Sequence, residues 1–379
     1  MTRFLLSKKK NKRTKSAVST VMVSILAVAA IVAIMGTTSV SSAAFDGAPG
    51  AVYTIDNSAT GNNVLVYARG PNGHLSPAGT FSTQGLGTGA GLGRQGAVVL
   101  TQDGQWLLVV DAGSNQITVF GVHGTTLKFA SITSSHGDDP ISLTVSRNLV
   151  YVLDAAGSGN IAGFRLSEAG VLSYIPGSAQ PLSRAAAPSP EQIGFNPRGN
   201  ILVVTEKGTN TIDTYTVDHN GVANPPTSQT SAGSGPYGFA FTNQNQLIVS
   251  EAASNSLSSY LLSSDGLLRT ISGAIPTFGL APCWVVIGNN GQFAYTTNAH
   301  GGTISTFAIS HSGGLRLMSS IAAQTAIPAL DMAFSNNGHF LYVHNGNDIT
   351  GYQVFSNGGL LTVTSVRGLP AATTGLGAN

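Results

Sequence analysis

The chain has one cysteine, Cys283, in 379 residues. No disulfide can therefore join two parts of it, and the fold must be held by packing and hydrogen bonding alone. Flanked by Pro282 and Trp284, that cysteine reads as a small buried hydrophobe rather than a nucleophile. Charge is equally scarce: Asp, Glu, Lys and Arg make up 9% of the residues, while 42% are hydrophobic, which argues against a disordered chain. The formal net charge of +2 comes from one end. Residues 1–44 hold seven basic side chains and no acidic one, leaving 18 − 7 = 11 basic against 16 acidic in the remainder, about −5. A mildly acidic body gives no electrostatic reason to expect nucleic acid. The eight histidines include no pair at metal-ligand spacing. The stretch Gly85–Gly93 is glycine-rich but precedes no helical pattern, so it is not a phosphate-binding loop. A Gly-x-Ser-x-Gly nucleophile elbow in a strand-to-helix setting is also missing.

What the chain does have is glycine, 47 residues of it, and a repeat. An aliphatic residue is followed three positions later by Tyr or Phe at Val64/Tyr67, Ile117/Phe120, Ile161/Phe164, Ile212/Tyr215, Leu257/Tyr260, Ile304/Phe307 and Ile349/Tyr352. Successive copies lie 53, 44, 51, 45, 47 and 45 residues apart. A period of about 40–50 residues built from strand-like segments is the pattern of a β-propeller blade. The sequence thus predicts an all-β fold: a single seven-bladed β-propeller over residues 45–379, with four-stranded antiparallel blades. Rings that recur at one position in every blade are a core layer and not a set of ligand contacts. Polar, glycine-containing turns separate the strands, as in Gln102-Asp103-Gly104 and Asn289-Asn290-Gly291. Dense apolar runs such as Trp106–Val110 and Phe340–Val343 read as buried second strands. Blade 1 lacks an inner strand of its own, because Ala51–Ile55 already reads as a second strand. The ring is therefore expected to close with a C-terminal segment, either Leu360–Val366 or the stretch from Gly375 to Asn379. The longest irregular stretch is Ser178–Pro190.

Residues 1–44 read as an export signal or an N-terminal membrane anchor. A basic stretch, Lys8–Lys15, precedes an apolar run from about Ala17 to Met35, and Ser42 and Ala44 fit a small-x-small cleavage site. The run is also long enough to span a bilayer if it is retained. The segment Lys15-Ser16-Ala17-Val18-Ser19 resembles the processing region of archaeal pilin-like signals, which would put the cut before the apolar run. Each alternative places the body outside the cytoplasm, extracellular or at the cell surface, with any membrane contact made only by this segment.

Several stretches resemble the seven-bladed lactonase-like propellers. They are Ala51-Val52-Tyr53-Thr54-Ile55-Asp56-Asn57, Gly85-Leu86-Gly87-Thr88-Gly89-Ala90-Gly91, Leu202-Val203-Val204-Thr205-Glu206, Val249-Ser250-Glu251-Ala252, Ala281-Pro282-Cys283-Trp284 and the terminal Gly368-Leu369-Pro370 with Gly375-Leu376. The resemblance spans residues 49–379 and implies 6-phosphogluconolactonase-like or 3-carboxymuconate-cyclase-like chemistry, with His, Arg and Glu around the channel mouth. This chain departs from that pattern. Where the family opens an inner strand with Pro-Arg-His, Pro190-Glu191-Gln192 stands here; Pro282-Cys283-Trp284 replaces Pro-Arg, and Pro140-Ile141 lacks the expected histidine.

In a propeller the mouth collects the loops entering each inner strand and leaving each second strand. The second-strand ends carry Asn57, Asp111, Asp154, Glu206, Glu251, Asn298 and Asn345. Asn and Asp there have a default role in bonding turn backbone. Glutamate is a poor turn-former, which singles out Glu206 and Glu251 as the catalytic candidates, an acid and base pair. His136 and Arg94 are the catalytic auxiliaries, and Glu191, Gln192, Tyr237, Trp284 and Asp331 are the substrate-binding candidates. His344, ending a second strand, is the other histidine to examine. No resident cofactor and no metal ligand set is expected, although the two glutamates with Asp111 or Asp154 could hold a divalent cation that polarises a lactone carbonyl. The expected partner is a small-molecule lactone or sugar-acid derivative, bound by a monomer. The competing reading is a non-catalytic cell-surface binding or scaffold propeller using the same rim.

Overall fold

The computed structural model describes residues 49–183, 187–288 and 290–379. Residues 1–44, for which the sequence suggests an export signal or membrane anchor, lie outside the described residues. Within them there is no helix, and the strands assemble into seven antiparallel sheets, each ordered inner, second, third, outer. Each sheet is one blade, and the predicted seven-bladed propeller is the observed fold. The inner strands of blades 2 to 7 are Val98–Leu100, Pro140–Ser146, Pro190–Phe195, Pro236–Phe241, Pro282–Ile287 and Ala329–Phe334.

Blade 1 takes its inner strand from the other end of the chain. Thr374–Ala378 pairs antiparallel with Gly50–Ile55, matching Val52 with Ala378 and Tyr53 with Gly377. Of the two segments the sequence offered for closure, Gly375–Asn379 does the work and Leu360–Arg367 is the outer strand of blade 7. Closure is reinforced by Thr54 Oγ1, which donates to Gly375 O (2.7 Å), and by Arg69, whose Nε and Nη2 donate to Asn379 O (3.1 and 3.0 Å). The irregular stretch after Ser178 is less bare than its prolines suggest: Gln180–Pro181 forms a short strand against the third strand of blade 3.

The repeat aromatics are all buried, from 0% exposure at Phe164, Tyr215, Phe307 and Tyr352 to 8% at Tyr67. They join clusters that run across blade boundaries, as where Leu107, Val119 and Phe120 of blade 2 pack with Leu143, Val152 and Phe164 of blade 3. Burying a side chain of this size contributes about 1.5–3 kcal/mol each, which replaces the disulfides the chain cannot form. Hydroxyls add direct ties between neighbouring blades. Tyr53 Oη donates to Gly124 O (3.2 Å), Tyr151 Oη to Gly221 O (2.7 Å) and Tyr342 Oη to Gly73 O (2.8 Å), each reaching the third-to-outer turn of the next blade.

Candidate functional site

Three of the polar residues at the second-strand ends share one structural job. In blade 2, Asp111 accepts from Thr83 Oγ1 (2.5 Å), Thr118 Oγ1 (2.7 Å) and Asn62 Nδ2 (2.9 Å). In blade 5, Glu251 Oε1 accepts from Ser231 Oγ (2.6 Å), Tyr260 Oη (3.3 Å) and the Gly233 amide (3.3 Å). In blade 4, Glu206 accepts from Ser183 Oγ (3.2 Å) and Thr209 Oγ1 (2.5 Å). Thr83, Ser183 and Ser231 each lie on the crossover that enters the blade they bond, so the second-strand end is a latch that pins the incoming chain.

The crossovers carry a matching signal that the sequence reading passed over: Ser or Thr, any residue, then Gly, at Thr83-Gln84-Gly85, Ser135-His136-Gly137, Ser231-Ala232-Gly233 and Thr277-Phe278-Gly279. Only glycine fits at the third place, because a Cβ on Gly85 would meet the Asp111 carboxyl at 2.4 Å, and one on Gly233 the Glu251 side chain at 2.5 Å. Glu206 and Glu251 are therefore in separate latches, each bonded within its own crossover, and are not brought together as a pair. Burial pushes the Glu206 carboxyl up to about 7, helped by the neighbouring Asp213, and raises Glu251 as well. Asp154 in blade 3 is likewise pushed to about 7 by burial. Among the described residues no three His, Cys, Asp or Glu side chains gather as a metal site.

His136 is the middle residue of the blade 3 tripeptide, with φ of 66°. Its exposed ring stacks on Tyr174 of the outer strand, with centroids 3.8 Å apart and planes 12° apart. The loop geometry directs it to the blade's outer part, away from Arg94 and Glu191.

Inner strands of a propeller expose one edge to the channel, and unpaired edge groups need partners. Two of the candidates, and Gln95 beside them, fill that need. Gln192 Nε2 donates to Phe239 O (3.1 Å) and its Oε1 accepts from Phe239 N (2.7 Å), tying blade 4 to blade 5. Asp331 of blade 7 accepts from the Met332 amide (2.8 Å) and from Leu376 N of blade 1 (3.1 Å). Complete burial still drives its carboxyl up to about 7. Gln95 spans from blade 2 to blade 6, bonding both Val285 O (2.9 Å) and Val285 N (3.2 Å). Below this layer a channel cavity of 540 Å³ runs past Phe195 and Phe241 to the opposite end of the ring.

Above it sits a compact charged cluster. Arg94, on the glycine-rich crossover from blade 1, pairs its Nε with Glu191 Oε2 at 2.8 Å. It also donates to Pro190 O (3.1 Å) and Tyr237 Oη (3.3 Å), so one side chain of blade 2 holds blades 4 and 5. Tyr237 Oη in turn donates to Gly93 O. Trp284 packs on the Tyr237 ring with centroids 5.4 Å apart, and Lys207 Nζ lies 5.3 Å from that ring's centre. Glu191 is fully buried, and loss of hydration pushes its carboxyl up to about 7 despite the attraction of Arg94 and Lys207. The Cys283 thiol is pushed up to about 12 by burial and by Glu191, which leaves it an apolar filler. Arg94 remains 25% exposed and Lys207 is exposed.

Of the sequence candidates, the structure thus brings together Arg94, Glu191, Tyr237 and Trp284. Gln192 and Asp331 lie in the layer beneath, and His136, Glu206 and Glu251 lie elsewhere. Lys207 was missed, although its place directly after Glu206 at a second-strand end put it on the rim. What the cluster offers chemically is two cations that can hold an anionic group, and a carboxyl that gains and loses a proton near neutrality.

Comparison with known proteins bears on the same architecture. No curated protein matches the chain. Among solved structures, a periplasmic gluconolactonase of Pseudomonas aeruginosa superposes with a TM-score of 0.69 at 18% identity, covering 87% of this chain and 98% of that one. A Bacteroides fragilis protein put forward as a 6-phosphogluconolactonase gives 0.68 at 16% identity, over 87% and 98%. Virginiamycin B lyase of Staphylococcus aureus is more distant, at 0.54 and 17% identity, over 73% and 86%. At such identities these likenesses speak for the fold. The model of the family described as lactonase, 7-bladed beta-propeller, matches residues 52–180 and 171–370. The chain belongs to that lactonase family of seven-bladed propellers.

Proposed function

We propose that this protein is an exported, monomeric lactonase-like propeller that binds and hydrolyses a small lactone of a sugar acid at its channel mouth. The observation that carries the reading is the Arg94–Glu191 pair at 2.8 Å, with Glu191 held near 7 beside the exposed Lys207. In this reading Arg94 and Lys207 hold the carboxylate or phosphate of the substrate. As the substrate's anion draws Arg94 outward, the uncovered Glu191 takes a proton from the attacking water, whose oxygen bonds to the lactone carbonyl carbon. The ring C–O bond then breaks, and the leaving alkoxide recovers that proton to give the hydroxy acid. The two lactonase neighbours and the family match support the substrate class.

One observation favours a second reading. Arg94, Gln95 and Tyr237 spend most of their hydrogen bonds on one another's blades, which suits a rim that binds a ligand without turning it over. The test is a hydrolysis panel with gluconolactone and 6-phosphogluconolactone, using wild type, Glu191→Gln, Arg94→Met and Glu206→Gln. Glu191→Gln should lower kcat by about 100-fold or more, within the range of a lost general base. Arg94→Met should chiefly raise KM, and Glu206→Gln should act as wild type. Hydrolysis untouched by Glu191→Gln overturns the assignment. Lactone binding without hydrolysis in the wild type leaves the binding reading.

A further inference from the structure

At the end of the ring opposite Arg94 and Glu191, between blades 3 and 4, three arginines converge on one pocket. Arg147 belongs to the inner-to-second hairpin of blade 3, Arg165 to its third strand, and Arg198 to the inner-to-second hairpin of blade 4. They line a cleft of 380 Å³ together with Asp218, His219 and Gly221 of blade 4's next turn. The two hairpins are close: a Cβ on Gly199 would lie 2.1 Å from Ser146 Oγ.

Residues 45–379 hold 11 basic side chains against 16 acidic ones. Three of those 11 on one small cleft is a concentration that needs a cause. Among the described residues no ion pair neutralises them. Arg165 Nη2 donates to Asn220 O (2.7 Å), which fixes its guanidinium and leaves its other donors free. Arg147 and Arg198 are exposed, and neither guanidinium has a hydrogen-bond partner among the described residues. The one carboxylate in the cleft, Asp218, is turned into its own loop, accepting from Asn220 N (2.9 Å) and Val222 N (2.8 Å).

The backbone supplies a second, independent observation. Blade 3 makes its hairpin in two residues, Arg147 and Asn148, with Ser146 paired to Leu149. The first of them, Arg147, has φ of 56°. Blades 2, 4, 5, 6 and 7 place Gly104, Gly199, Asn245, Gly291 and Gly338 at the left-handed position of this hairpin. Glycine and asparagine adopt that conformation readily, whereas arginine adopts it only at a conformational cost. A long cation thus occupies the one hairpin position where the backbone least favours it, beside two more cations. Both the strain and the mutual repulsion fit a site built for a ligand.

We infer that this cleft binds a small multivalent anion, a molecule bearing two or more phosphate or carboxylate groups, at a site separate from the channel mouth. Guanidinium forks suit such groups because each can donate two parallel N–H bonds to one oxyanion. Arg165, already anchored, would orient the ligand, with Arg147 and Arg198 closing on it from the two hairpins.

The test is calorimetric titration of the full-length protein with inorganic pyrophosphate and with citrate, each at two salt concentrations. Four proteins are compared: wild type, Arg147→Gly, Arg198→Ser and the mouth variant Arg94→Met. Arg147→Gly removes the cation and relieves the left-handed backbone together, so it should fold at least as well as wild type and melt no lower. Expected are submillimolar binding of at least one probe to wild type and to Arg94→Met, and at least tenfold weaker binding to Arg147→Gly and Arg198→Ser. Binding should also weaken as salt rises. Pyrophosphate and citrate separate a phosphate site from a carboxylate site. Binding lost in Arg94→Met and kept in Arg147→Gly would move the anion to the mouth and overturn the proposal. Equal or absent binding in all four proteins would overturn it too.

Discussion

Replacing Glu191 by Gln tests the electrostatics of the mouth independently of any substrate. The side chain is fully buried, and burial outweighs the attraction of Arg94 and Lys207, leaving the carboxyl near 7 against an ordinary 4.5. A folded-state pKa above the unfolded one means that the native protein holds its proton more tightly. The stability this contributes is complete below pH 4.5 and is lost as pH rises through 7. The gap between 4.5 and about 7 corresponds to a loss of about 3 kcal/mol. Glutamine keeps the shape and the neutral form at every pH, so Glu191→Gln should match wild type near pH 4.5 and exceed it at pH 9 by up to that amount. By the usual scaling this is a difference in Tm on the order of 5 °C. Thermal melts followed by far-UV circular dichroism at pH 4.5, 7 and 9 would read it. Asp154, Asp331 and Glu206 also sit near 7, so both proteins should lose stability at high pH, and only the difference between them reports Glu191. A constant Tm difference across the pH range, in either direction, would refute the reasoning.

Three further outcomes follow from the same structure. Glu251→Ala strips Ser231, Tyr260 and the Gly233 amide of their acceptor and should destabilise by about 2 kcal/mol in urea melts, with lactone kinetics unchanged if the residue is a latch. Tyr151→Phe leaves the Gly221 carbonyl and the Ala223 amide without their shared partner, 2.7 and 2.9 Å away, and should cost about 1–3 kcal/mol by the same assay. His344 is buried and neutral, and burial depresses it from 6.5 to about 4, so its contribution is present above 6.5 and lost as pH falls toward 4. At the same strand position blades 4, 5 and 6 carry Thr205, Ser250 and Thr297, whose hydroxyls donate to the next blade's backbone. His344→Thr should therefore flatten the fall in Tm between pH 6.5 and 4; an unchanged acid profile would rule out that histidine as its source.

How much of this was legible in the chain depends on the range of the interactions concerned. The aliphatic-x-x-aromatic repeat is local, and each copy marks the third strand of one blade, so blade number, strand order and the buried aromatic layer could all be read without coordinates. The missing first strand even announced how the ring closes. The glycine of the Ser/Thr-x-Gly crossover was equally local, and went unread because its partner, the second-strand carboxylate, lies 17 to 26 residues further on. That omission made Glu206 and Glu251 look chemical, when their carboxylates do what Asp111 and Asp154 do in the sister blades.

Sequence by itself determined the seven blades, because periodicity and turn chemistry are properties of neighbours along the chain. Tertiary structure decided which polar residues meet. Arg94 reaches Glu191 and Tyr237 from 97 and 143 residues away, and Arg147 shares a cleft with Arg198 only because blade 4 packs on blade 3. Each such meeting depends on the direction of a single side chain across a ring, and no local pattern encodes that. Burial then sets the protonation of the carboxyls that meet there, since desolvation is a property of the packed whole.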